Sequence, residues 1–212
     1  MSVLATDDFN RGDNADLGAN WTPNFNSFKI VSNVAEPNSV SGNVERYSGL
    51  TWPNDQYSQA ALTGTLSTTD DEGCGPGVRC STASANTLYL AQADTNGSGH
   101  ARVYKVVDGS YTNLLNATQA WSVNDVYYLE IQGTTLIQKR NGTQIGSSAT
   151  DSAIAAGAAG VWGVQARGTL DNWEGGDFAA GSSSCTPTVG NQVLTGIAPS
   201  RVLGTILEPV TP

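Results

Sequence analysis

Three stretches of this sequence hold residue types that do chemistry. The first is Asp7-Asp8-Phe9-Asn10-Arg11-Gly12-Asp13-Asn14-Ala15-Asp16, rich in the hard oxygen donors that calcium takes. The Asp-x-[Asp/Asn]-x-[Asp/Asn]-Gly run of an EF-hand does not fit from any of these aspartates, so a local calcium loop is not expected. Arg11-Gly12-Asp13 is a three-residue match of a kind chance makes common, and no adhesion role is assigned to it. The second stretch is Asp70-Asp71-Glu72. Retaining glycoside hydrolysis needs two carboxylates about 5 Å apart, which a strand supplies through an alternating acidic run such as Glu-x-Asp-x-x-Glu. No such run exists, and the cluster at 70–72 precedes Gly73-Cys74-Gly75-Pro76-Gly77 and reads as a solvated loop.

The third stretch runs from Tyr47 through Trp52, Pro53 and Asp55 to Tyr57. Aromatic faces stack on the apolar side of a sugar ring, while carboxylates and amides take its hydroxyls. Trp52, Asp55, Tyr57 and Arg79 are therefore the expected carbohydrate-binding residues, with Arg102 a further candidate. Trp21, Trp121, Trp162 and Trp173 are expected to fill the core. His100 is the sole histidine. It lacks a second ligand motif for zinc and reads as an exposed turn residue. Tyr104-Lys105 and Tyr111 echo an alginate-lyase motif, but the basic Arg-x-Glu-x-Arg strand and Gln-x-His that should accompany it are missing. No catalytic residue is assigned.

The surrounding chain must position these residues. Its 212 residues suffice for one large domain plus a tail. Only 14% are charged, against 24 glycines, a balance suited to an all-β chain with many turns. The net charge of −9 argues against a nucleic-acid partner, which needs a basic surface. No apolar run reaches membrane-spanning length, and the N-terminus does not read as a secretory signal. Cys74 and Cys80 flank a short loop and either pair or stay free thiols; Cys185 makes the count odd. Four Asn-x-Ser/Thr sites, at Asn20, Asn96, Asn116 and Asn141, mark exposed turns.

Strand signals recur at residues 29–34, 56–62, 77–81, 87–92, 100–107, 126–132, 135–140, 143–149 and 159–166, bounded by Gly, Asn, Asp and Ser. Gly133-Thr134 and Asn141-Gly142 join successive strands as hairpins. The Ala-rich stretch 152–159 is either one helical turn or a loop. Many short strands with regular turns indicate an all-β, two-sheet antiparallel jelly-roll sandwich. Residues 1–181 form this domain. Residues 182–212 form a short C-terminal extension behind the linker Gly181-Ser182-Ser183-Ser184. Its repeated apolar phrases place Val193, Leu194 and Ile197 against Val202, Leu203, Ile206 and Leu207. So short a segment cannot form a core alone; it lies along its own domain or docks on a partner as an assembly tail.

The order of motifs resembles the concanavalin A-like lectin/glucanase superfamily, in its laminin-G-like jelly-roll branch. The motifs are Asp7-Asp8-Phe9-Asn10-Arg11, Leu17 to Thr22, Asp55-Gln56-Tyr57, Gly77 to Ser81, Arg102 to Gly109, Val126 to Gly133, Asn141-Gly142 and Asp171 to Phe178. The resemblance implies that the first and last strands pair, so that Phe9, Trp21, Trp173 and Phe178 plug one end of the core. It implies a calcium ion tying the termini, with Asp8 and Asp171 as ligands; turn-stabilising polarity is the alternative. Such domains occur in secreted carbohydrate-active proteins and in bacteriophage structural proteins, and the tail resembles the ends of phage virion proteins. The expectation is a non-catalytic virion component, assembled in the host cytoplasm and homo-oligomeric on the particle. Its tail would bind other virion proteins and its domain host polysaccharide, with no membrane partner. A free carbohydrate-binding module, or a diverged glycoside hydrolase or polysaccharide lyase, is the alternative.

Overall fold

The computed structural model describes residues 1–68, 72–164 and 168–178. The expected tail at 182–212, with its seven apolar assembly residues and Cys185, lies outside them, as do Asp70 and Asp71. The strands are β1 Ser2–Asp7, β2 Trp21–Phe25, β3 Phe28–Val31, β4 Val34–Pro37, β5 Asn43–Tyr47, β6 Gln56–Thr63, β7 Cys74–Cys80 and β8 Leu88–Asp94. They continue with β9 His100–Val107, β10 Ser110–Thr118, β11 Val126–Gln132, β12 Thr135–Arg140, β13 Thr143–Gln144, β14 Ala149–Thr150, β15 Ala158–Gly163 and β16 Thr169–Asp177. There is no helix among the described residues.

Two antiparallel sheets stack as the expected jelly-roll sandwich. One runs β13-β12-β11-β6-β16-β4-β3, with β1 beside β16 and β14 beside β12. The other runs β10-β9-β8-β7-β15-β5-β2. Alternation along β8 shows how the second sheet is used. Tyr89, Ala91 and Ala93 face the core between the sheets. Leu88 and Leu90 face the other side, in a second cluster with Val44, Cys80, Tyr104, Val106, Trp162 and Val164. Both faces of β8 are buried, which explains its nearly unbroken apolar run.

The first and last strands pair as expected, Asp7 opposite Trp173. Trp21 lies 4.7 Å from Trp173 and 5.8 Å from Phe9, and Tyr47 stacks on Trp173 at 5.2 Å. Phe178 does not join this plug; it sits edge-on to Tyr57 at 6.0 Å. The opening Asp-Asp-Phe-Asn-Arg run is a clamp. Asp7 accepts two bonds from Arg11 (2.7 and 3.0 Å), one from the Trp21 indole (2.8 Å) and one from the Phe9 N–H (2.9 Å). Burial alone would raise the Asp7 pKa; these donors outweigh it and hold the carboxyl below its ordinary range. The clamp lets Phe9 turn inward at φ +51° with no exposed surface. Arg11 is thereby occupied inside the domain and is not offered as part of an adhesion triplet.

Several sequence expectations change. Gly73 to Gly77 is not all loop: Cys74–Cys80 is a strand in the middle of the second sheet. A Cβ on Gly75 would come within 2.2 Å of the Ala91 carbonyl, so the glycine serves backbone approach within a sheet. Cys74 and Cys80 are free, buried, and at opposite ends of this strand. An extended strand of that length separates their Cα atoms by roughly 20 Å, far beyond disulfide reach. Burial pushes both thiols up to about 12. The expected strand at 143–149 is two short pieces, broken at Gly146 with φ +64°. The Ala-rich segment is a loop leading into β15.

Candidate functional site

Two loops rise beside β5 and enclose a cleft of about 410 Å³. One wall is Arg46, Tyr47 and Ser48 at the end of β5, continuing into Leu50, Thr51 and Trp52; the other is Ala156, Gly157 and Ala158, and Thr82 completes the lining. Trp52 is half-buried. Its indole N–H donates to the Tyr47 carbonyl at 2.8 Å, and its ring stands edge-on to Tyr47 and Trp173 at 6.3 and 6.2 Å. The aromatic plug of the core thus supports Trp52 from below and fixes the ring's orientation at the rim.

Buried polar residues tie the two walls together. The Gln56 side-chain amide donates to the Pro53 carbonyl at 2.6 Å and the Gly157 carbonyl at 2.9 Å. Its oxygen accepts the Arg79 N–H at 3.1 Å. Arg79, only 3% exposed, spends its guanidinium on three carbonyls: Asn54 (2.9 Å), Ile154 (2.8 Å) and Gly133 (2.8 Å). Its backbone sits at φ +49°, where the β15–β7 register shifts; such a bulge re-aims a side chain. Asp55 accepts the Gly133 N–H at 2.7 Å and lies 3.7 Å from Arg79.

The four expected sugar-binding residues therefore separate. Trp52 lines the cleft. Asp55 and Arg79 brace the loop that carries it. Tyr57 is 3% exposed on the other sheet. It donates to Glu174 at 2.7 Å and stacks on Tyr128 at 5.2 Å. Burial first, and the Glu174 carboxylate second, raise the Tyr57 pKa, so the phenol stays protonated. A guanidinium with three carbonyls to serve is a strut, and that corrects the expectation for Arg79. Sequence reasoning missed Gln56 and Arg46; the polar Gln at the head of an apolar strand was the available signal for the first. His100 is not a free turn residue. It opens β9, and its Nδ1 is 3.0 Å from Asp94, a buried carboxylate that also holds Arg102.

The β1–β16 pairing also forms a polar hollow of about 450 Å³ lined by Thr6, Asp7, Asp8, Asn172, Trp173 and Glu174. Its carboxylates are already used. Asp7 holds the clamp, Asp8 caps the Asn10 N–H at 3.1 Å, and Glu174 accepts from Tyr57 and from Gln59 at 3.0 Å. Asp171 is not part of the lining and binds Asn172 instead. Calcium takes about six to eight oxygen ligands. Among the described residues no group of three or more acidic, His or Cys side chains gathers to hold a metal, so Asp8 and Asp171 do not fit as the core of a calcium cage. The melting temperature is accordingly expected to be the same in calcium and in excess chelator; a rise with calcium would show a cage these residues do not provide.

No protein-family model matches the chain, and no curated protein is similar to it. Solved structures share its fold. Carbohydrate-binding module CBM66 from Bacillus subtilis superposes with a TM-score of 0.57 at 17% identity, over 72% of this chain and 91% of that one. Xylan β-1,4-xylosidase from Bacillus halodurans C-125 does so at 0.54 and 12%, over 84% of this chain but only 40% of the enzyme's. The exoplasmic/lumenal domain of VIP36, in its calcium- and Man3GlcNAc-bound form, gives 0.51 and 7%, over 74% and 83%. At such identities what is shared is architecture: the chain folds as a two-sheet antiparallel jelly-roll sandwich.

Proposed function

We propose that this domain is a non-catalytic glycan-binding module and that the cleft beside Trp52 is its combining site. One observation carries the reading. A half-buried indole, locked by a bond to Tyr47 and braced by the core aromatics, borders a cleft whose lining contains Ser48, Thr51, Thr82 and an arginine. A fixed aromatic face beside hydroxyl and guanidinium donors is what stacking on a sugar ring and bonding to its hydroxyls require. Among the described residues the lining has no carboxylate and no histidine, whereas glycoside cleavage needs a carboxylate pair. The cleft holds a sugar without cutting it. A carbohydrate-binding module and the VIP36 domain in its Man3GlcNAc-bound form, both among the structural neighbours, support this class of ligand.

A glycan microarray tests the reading. The wild-type domain is expected to bind a defined set of glycans without releasing reducing ends. Trp52→Ala should weaken binding about thirtyfold, the loss of roughly 2 kcal/mol that removing a central aromatic anchor brings. Because Trp52 also touches core rings, Ala156→Trp serves as a second variant. It fills the cleft from an exposed loop on the opposite wall and should abolish binding with an unchanged melting temperature. Full binding by both variants would remove the cleft from the account.

The finer proposal concerns where the module works. The repeated apolar phrase at 193–209 favours a module carried on a larger assembly, with a phage particle as the expected carrier; the free module is the competing form. Mass spectrometry of purified particles from the source decides, since the chain is either a stoichiometric component or absent.

A further inference from the structure

The cations of this chain are used in a very uneven way. Ten Lys and Arg residues face nineteen Asp and Glu, and eight of the ten lie among the described residues. Seven of those eight hold a carboxylate. Arg11 pairs with Asp7, Lys29 with Glu36, Arg79 with Asp55, Arg102 with Asp94, Lys105 with Asp151, Lys139 with Glu130 and Arg140 with Asp125. Arg46 is the exception: among the described residues its side chain has no ion pair or hydrogen bond. In a chain with so large an acid excess, that is not for want of acids.

The position of Arg46 is specific. On β5 it lies between Thr22 of β2 and Gly160 of β15, and it lines the Trp52 cleft. Gly160 offers no side chain beside it. A Cβ there would come within 2.2 Å of the Glu45 carbonyl, so the space next to the arginine is kept open by a backbone constraint. On the other flank the Thr22 and Ser48 hydroxyls bond each other at 2.7 Å and leave the guanidinium alone. The cleft lining carries no carboxylate among the described residues to neutralise Arg46 or to repel an anion. A guanidinium presents a rigid fork of donors matched to a planar or tetrahedral oxyanion.

We infer that the ligand is an acidic glycan, whose carboxylate or sulfate group is received by Arg46 while a sugar ring stacks on Trp52. The inference rests on the glycan-binding reading of this cleft and names its ligand class. Carboxylate and sulfate offer the same oxyanion chemistry, and the probes separate them.

The test titrates the domain with polygalacturonate, with the same polymer after carboxyl reduction, with dextran sulfate and with plain dextran, each against wild type and Arg46→Gln. A charged probe is expected to bind at least about tenfold more tightly than its neutral counterpart, the worth of one charge-assisted bidentate contact. Arg46→Gln should erase that preference at an unchanged melting temperature. Preference for polygalacturonate identifies a uronate ligand, and preference for dextran sulfate a sulfated one. Equal binding of charged and neutral probes, or an acid preference that survives Arg46→Gln, overturns the inference. If array glycans bind at the cleft but only neutral ones do, acidic recognition alone fails; if no glycan binds anywhere, the combining-site reading fails with it.

Discussion

Replacing Arg79 by alanine is expected to lower the melting temperature by roughly 10 °C and to abolish glycan binding, although Arg79 does not line the cleft. The guanidinium is buried and is the donor for the Asn54, Ile154 and Gly133 carbonyls, which belong to three separate segments. Truncation leaves those acceptors without their donor and Asp55 without its partner. Breaking a buried charged contact of this kind costs about 3–5 kcal/mol, and in a domain of this size each kcal/mol shifts the midpoint by about 2–4 °C. The functional effect follows from position. Asn54 lies two residues beyond Trp52, and Ile154 lies two residues before Ala156 of the opposite wall, so the segments on both sides of the cleft lose their common anchor. Arg79→Lys should recover little, because one ammonium cannot serve three carbonyls in different directions. Thermal denaturation of the two variants checks this. A change of less than about 3 °C, with binding intact, would mean that the guanidinium is not the strut the geometry makes it.

The second large effect is a dependence of stability on pH. Glu45 is 1% exposed, and its carboxylate accepts the Phe28 N–H at 2.8 Å. Burial raises its pKa to about 7 against an ordinary 4.5; the Phe28 bond pulls the other way, and Asp16 adds a small further rise. The folded state therefore keeps a proton that the unfolded chain loses. Stability from this group is full below about pH 4.5 and is lost as pH rises through 7. At ~1.4 kcal/mol per pH unit the gap amounts to about 3 kcal/mol. Asp7, Asp125 and Asp151 act with the opposite sign. Burial alone would raise each of them, but hydrogen bonds, chiefly from Arg11, Arg140 and Lys105, outweigh it and hold them low. Their contribution is present near neutrality and lost in acid. The two trends together put maximum stability near pH 5. The melting temperature should fall by roughly 6 °C or more between pH 5 and pH 8, and Glu45→Gln should flatten that fall. An equal slope in wild type and variant would assign the pH dependence elsewhere.

The architecture was legible in the sequence because its carriers are local. Gly133-Thr134 and Asn141-Gly142 supply the φ-positive turn residues a hairpin needs, and the strands they join stand in register as β11, β12 and β13. A third such turn was missed. Asp108-Gly109, at φ +48° and +80°, closes β9 onto β10. Its outgoing strand is polar and largely exposed, so no apolar alternation announced it. Cys74–Cys80 was hidden for the opposite reason: Gly-Pro-Gly has the composition of a loop, and only the close approach of β8 explains glycine there. The site was half legible. Trp52 stood out as an aromatic before proline in a polar stretch. Arg46 carries no local mark, because its distinction lies in lacking a partner while seven other cations have one, which is a property of the folded charge arrangement. Arg79 and Asp55 stand out in the sequence for their chemistry, and that chemistry is spent on holding the site in shape.

The most direct test of the central claim is a proton–nitrogen NMR titration of the assigned domain with an oligosaccharide it binds. The account predicts that the Trp52 indole signal and the backbone amides of Arg46, Thr82 and 156–158 shift together and saturate with a single affinity. Shifts centred on the Asp8–Glu174 hollow or along β10, with the Trp52 indole unmoved, would contradict it and place the combining site elsewhere on the sandwich.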